Sequence, residues 1–156
     1  MNTPASIITA LANAPALIIP LVGEVPLARL KRRPSAGKWS AHEHACHLAV
    51  VHALFFSRLD VMLSEPHPRL ASYQPDRDEA EDSLLKMELA AALEQFARDR
   101  ERLVERLQKL TAEDWRRTAE HEEYDHYSVL IMFRHLAMHD MLHAYRIEEL
   151  LLKKDW

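Results

Sequence analysis

The sequence predicts an all-α fold, a four-helix bundle, and three observations carry that reading. Only two glycines, Gly23 and Gly37, occur in 156 residues, which argues against a loop-rich β fold and a glycine-rich phosphate cradle. Leu, Ala, Glu and Arg dominate, and all four favour helix. Apolar residues recur every three or four positions over long stretches, several of them preceded by capping residues. The length suits a single domain over residues 1–156.

Thr3-Pro4 reads as an N-cap and first helical residue, followed by Ile7, Ile8 and Leu11 at helical spacing. Pro15 and Pro20 predict a break near residues 13–15, with helix resuming to about Val22. Residues 24–38 form a connection with a short turn at Leu27–Leu30. The second helix starts most clearly, because Ser40 and Glu43 make a capping box. Its stripe Leu48, Val51, Phe55, Leu59, Met62 ends at Pro66 and Pro68.

Residues 65–77 read as a loop, and a third helix spans residues 78–110 with Leu89, Leu93, Phe96, Leu103, Leu107 and Leu110 inward. Its run Arg98 to Arg102 reads as a solvated face. Thr111 and Asp114 cap a short turn ending near Trp115, residues 118–126 connect, and the last helix covers residues 127–153.

A net charge of -4 with interspersed signs offers no broad cationic face, so nucleic acid is not an expected partner. Cys46 stands alone, which rules out an intramolecular disulfide and a zinc-type cysteine pair. Next to Leu and Ala it reads as a small buried hydrophobe. Residues 7–22 are apolar but interrupted by Asn13, Pro15 and Pro20, with no cationic segment before them. They make a poor signal peptide or membrane span, and a soluble cytoplasmic protein is expected.

The chemistry lies in the histidines. His135, His139 and His143 recur every four residues and share one helical face. Random placement of ten histidines gives about 0.6 such pairs, and two consecutive ones are present. Their face coincides with the apolar stripe Met132, Leu136, Ile147, Leu150, where a buried ring needs a partner. His47, one position from the stripe of the second helix, would complete a three-imidazole set, the ligand count of an open metal site. Two readings stand: a metal centre, or histidines hydrogen-bonded along a bundle seam. His42, His44 and His52 read as solvated, although His44 lies one turn before His47 and competes with it. His42-Glu43 opens like a zinc-protease helix, but the second ligand position holds Cys46.

Lys38-Trp39-Ser40 entering a helix, His47-Leu48 within it, Arg58 after it and the late His139-Asp140-Met141-Leu142-His143 together resemble the DinB-like (DinB/YfiT) superfamily of metal-binding bundles. The stretch Leu107, Leu110, Thr111, Asp114, Trp115 is similar to one branch of it. The resemblance covers roughly residues 15–150. It implies an up-down-down-up topology, a divalent metal ion on His47, His139 and His143, and a homodimer. It also implies a small-molecule substrate, and in some branches transfer of a low-molecular-weight thiol. Ligand type alone does not separate zinc, nickel, iron and manganese, and an all-imidazole set suits the borderline metals best.

Two positions depart from the pattern. Thiol-transferase relatives often continue the last ligand as His-Arg-Gly-Gln, where this chain has His143-Ala144-Tyr145-Arg146. A glycine common before the last helix is replaced by Glu122-Glu123-Tyr124-Asp125-His126. The expected function is metal-assisted hydrolysis or thiol transfer, with His135 and Asp140 as candidate outer groups. The alternative is a non-catalytic binding or dimerisation module whose metal is structural or incidental.

Overall fold

The structure is a computed structural model describing residues 2–74 and 82–154. Four long helices make the bundle: α1 (Pro4–Glu24), α3 (Ala41–Ser64), α5 (Leu89–Gln108) and α7 (Val129–Leu152). Short helices α2 (Leu27–Leu30), α4 (Ser83–Lys86) and α6 (Ala112–Arg116) sit in the connections. Helices α1 and α3 each pack against both α5 and α7, so α1 and α3 lie across a diagonal.

The capping residues act as the sequence implies. Thr3 accepts from the Ser6 amide, Ser40 from Glu43 and Thr111 from Asp114, each within a complete capping box. Glu43 is also held by Arg33, whose guanidinium reaches Asp82 as well and ties the connection to the start of α3.

Three expectations about element boundaries need correction. Helix α1 runs unbroken through Pro15 and Pro20. Pro15 carries no N–H for the Leu11 carbonyl four residues earlier, but Arg100 Nη1 donates to that oxygen at 3.1 Å. The Pro20 counterpart, Ala16, lies on the exposed side. The third helix is not continuous, because Met87 and Glu88 separate α4 from α5 and Glu88 caps α5. Its expected start at residue 78 lies outside the described residues. The connection at residues 118–126 is partly strand: β2 (Thr118–His121) pairs in parallel with β1 (Arg69–Leu70) and antiparallel with β3 (Tyr127–Ser128). Helix α7 therefore starts at Val129, capped by Ser128.

Two apolar clusters fill the bundle, one around Phe55, Leu59, Leu103 and Phe133, the other around Ile18, Leu48, Phe96 and Ile147. A polar layer marks their boundary. Arg100, 1 % exposed, is not on a solvated face but pairs with the fully buried Asp140 at 2.5 and 3.0 Å. Its Nε donates to His52 Nε2 at 3.1 Å, so His52 is buried too. By length and composition α1 and α3 are apolar enough to cross a membrane, but Ile7, Leu11, Ile18, Leu48 and Leu59 are consumed by the core.

Candidate metal centre

Helix α3 brings His44 and His47 to the bundle interior one turn apart, and α7 brings His139 and His143 opposite them. His139 Nε2 lies 3.0 Å from His47 Nε2 and 3.0 Å from His143 Nε2. One nitrogen from each of the three rings falls within 4.8 Å of the other two. A neutral imidazole has a single N–H, so His139 Nε2 cannot donate to both neighbours. Either two lone pairs face each other or two N–H groups compete for one lone pair, unless a cation sits among the nitrogens. Two imidazoles bound to one ion at ordinary Zn–N distances lie about 2.9–3.4 Å apart, and the two measured separations fall in that range. The donor set therefore fits a divalent ion.

Electrostatics favour the same state. Burial, followed by the neighbouring rings, depresses the imidazoles: His47 to about 3 and His143 well below the usual range. His139 falls to about 4, chiefly through burial. All three are neutral at physiological pH, the form that binds metal.

His44 is neither a third-ligand rival nor solvated. Its Nδ1 lies 2.7 Å from His143 Nδ1, on the far side of that ring from His139. Were His143 to hold an ion through Nε2, its Nδ1–H would donate to His44 and fix the ring in orientation. Trp39 stacks on His143 at 5.9 Å between centroids and tilts against His47 at 4.9 Å, walling the cluster from one side.

Of the other singled-out residues, His135 lines the same cavity without joining the cluster. Asp140 faces Arg100 rather than a ligand ring. Burial pushes its carboxyl above the ordinary range and the Arg100 charge pulls it back. His42 is buried with Nε2 3.1 Å from the Leu84 carbonyl, and so belongs to the packing of α3 on α4. Cys46 is buried among apolar side chains, which pushes its thiol to about 11 and suits the reading as a small hydrophobe.

Beside the histidines opens a cavity of about 270 Å³. Val51, Phe55 and Arg58 of α3 line one side, His121, Tyr124 and Tyr127 of the strand region the other. The strand residues His121 and Tyr127 were not singled out from the sequence, whereas Tyr124 falls in the 122–126 stretch that departs from the family pattern. Alternating burial over so short a strand gives no periodic signal.

The sequence profile of the DinB superfamily matches residues 10–147. The chain belongs to the DinB superfamily. Among solved structures it is similar to YfiT from Bacillus subtilis, described as a probable metal-dependent hydrolase with an unusual four-helix bundle topology. That match has a TM-score of 0.84 at 21% identity, covering 94% of this chain and 85% of YfiT. At that identity the likeness shows a shared four-helix bundle fold. No curated protein matches.

Proposed function

We propose that this DinB-superfamily protein is a cytoplasmic, metal-dependent hydrolase of a small molecule. The observation that carries the reading is the meeting of the His47, His139 and His143 nitrogens beside a cavity. Three protein ligands are the number typical of catalytic centres, whereas structural sites close with four. That contrast weighs against the non-catalytic module, which calls for a sealed site. When bound, a divalent cation supplies Lewis acidity, polarising a substrate oxygen and easing proton loss from water or a thiol.

The chain's own residues divide the remaining work. His47, His139 and His143 would hold the ion, and His44 fixes the ring of His143. Trp39 excludes water from one side of the cluster. Val51, Phe55 and the tyrosines give the substrate an apolar berth. A homodimer is part of the proposal. Met138, Met141, Leu142 and Tyr145 are exposed on the outer side of α7, with Tyr145 60 % exposed, and a second copy would cover them. Sedimentation equilibrium of the wild type and of Tyr145→Glu reads this directly.

The decisive experiment is elemental analysis of untagged wild type and His139→Ala, followed by ester and amide hydrolysis before and after chelation. The expected result is a near-stoichiometric ion in wild type, lost in the variant, and turnover that chelation abolishes and metal restores. Full metal content in His139→Ala defeats the site. Thiol transfer, the other activity implied by the resemblance, is read in parallel by supplying low-molecular-weight thiols with an electrophile.

A further inference from the structure

Arg58 is the cavity residue that a metal centre alone does not explain. It follows His47 by eleven positions on α3, which returns it to within about 20° of the same face and about 16 Å further along the axis. The side chain is 9 % exposed and lines the cavity that the histidines border. Its Nη2 donates to the Ala71 carbonyl at 2.6 Å. Among the described residues no carboxylate lies within ion-pair distance of it.

The other buried arginine among the described residues is treated differently, because Arg100 has Asp140. A guanidinium removed from water without a counter-ion costs several kcal/mol, and two neutral acceptors, the Ala71 carbonyl and the Tyr127 oxygen, do not offset it or use all five N–H groups. Among the described residues no wall carboxylate pairs with it directly, although the Glu123 charge borders the same cavity. His121 and His135 are the nearby titratable rings, both held down by burial and by the Arg58 charge itself. Glu123, the carboxylate among the cavity-lining residues, accepts from Ser72 Oγ at 2.7 Å. Tyr127 contributes a phenol whose oxygen takes a hydrogen bond from Arg58 but carries no charge.

We infer that Arg58 binds the carboxylate of a small substrate whose reactive carbonyl lies toward His47, His139 and His143. The planar guanidinium fork matches a carboxylate bidentately, and a cavity of about 270 Å³ admits only a small acid. The substrate class is thus an ester or amide bearing a carboxylate several bonds from the bond to be cut. The inference deepens the hydrolase reading and rests on it for the reaction, but not for the binding of the acid.

Calorimetric titration of hexanoate and hexanamide into chelator-treated, metal-free protein isolates the guanidinium, because no ion is then present to attract the carboxylate. Wild type is expected to bind the acid at least about tenfold more tightly than the amide, as charge-assisted hydrogen bonds imply. Arg58→Gln is expected to lose that preference and Arg58→Lys to retain part of it. Circular dichroism checks that each variant is folded. If Arg58→Gln fails to fold, the Lys variant decides, by a preference reduced several-fold against wild type. Equal affinity for acid and amide in wild type overturns the assignment, as does undetectable binding at about 10 mM acid. An unchanged preference in the folded Gln variant, or in the Lys variant where it decides, overturns it too. Acid preference in metal-free protein without metal-dependent turnover would instead sink the hydrolase reading and leave Arg58 assigned.

Discussion

Replacing Arg100 with Met tests whether the polar layer is an interlocked unit. Arg100 makes four hydrogen bonds within the core, two to Asp140, one to the Leu11 carbonyl and one to His52. Breaking a buried ion pair from one side costs about 3–5 kcal/mol, and each buried acceptor left unsatisfied about 1–3 more. Protonation of Asp140 and water entry recover part of this, so a loss of at least about 4 kcal/mol is expected. That is a large share of the roughly 5–15 kcal/mol typical of a domain, and corresponds to about 8–16 °C in Tm at this length. Urea unfolding followed by circular dichroism measures it. Adding Pro15→Ala makes the test specific, since it gives the Leu11 carbonyl an ordinary helical N–H. The second substitution should stabilise the Arg100→Met background by about 1–3 kcal/mol more than it stabilises wild type. Additive effects, or a loss below about 1 kcal/mol for Arg100→Met alone, would refute the reasoning.

Two further outcomes are expected. His44→Phe removes the acceptor behind His143 and should weaken zinc binding about 10–100-fold without unfolding the chain, measured by competition with a chromogenic chelator; unchanged affinity would show that His44 does not orient the ligand. His52 is depressed to about 4, first by burial and then by Arg100, so the unfolded chain takes up a proton there before the folded one does. Stability is therefore lost as pH falls from about 6.5 to about 4, by about 2 kcal/mol from this group at pH 5. His52→Gln keeps an acceptor for Arg100 and should flatten that part of the urea midpoint profile; parallel profiles would remove His52 as the cause.

The bundle was legible because its signals are local. Ser40 with Glu43, and Thr111 with Asp114, announce helix starts within four residues. The i, i+4 repeat of His139 and His143 shows which face of α7 they share. That His47 meets them is a tertiary fact: the sequence allowed a shared ion or three separate seam contacts, and only the packing of α3 on α7 brings the nitrogens together. The strand region that completes the cavity was hidden because β1 and β3 are two residues long and β1 joins β2 from about fifty residues away. Arg100, by contrast, had a readable signal. It stands four residues after Phe96 and three before Leu103, on the apolar stripe itself, and the charged run around it concealed that position.

Pro15 and Arg100 are best understood as one device. A proline inside a helix usually leaves a carbonyl to water, which favours a break there, yet here the unpaired carbonyl of Leu11 points into the core. Only a donor from another helix can satisfy it, and the guanidinium that does so also grips Asp140 on α7 and His52 on α3. Each of these bonds fails if its helix slides by one residue, so the layer fixes the axial position of four helices at once. Asp140 follows His139 directly and precedes His143 by less than one turn. The contact that holds α7 in place is thus built into the segment bearing two of the three candidate ligand rings, and His52 lies little more than one turn beyond the third. Apolar side chains alone tolerate small shifts of one helix past another. The polar layer removes that latitude where a metal ion, with nitrogen positions set to a few tenths of an ångström, would tolerate it least.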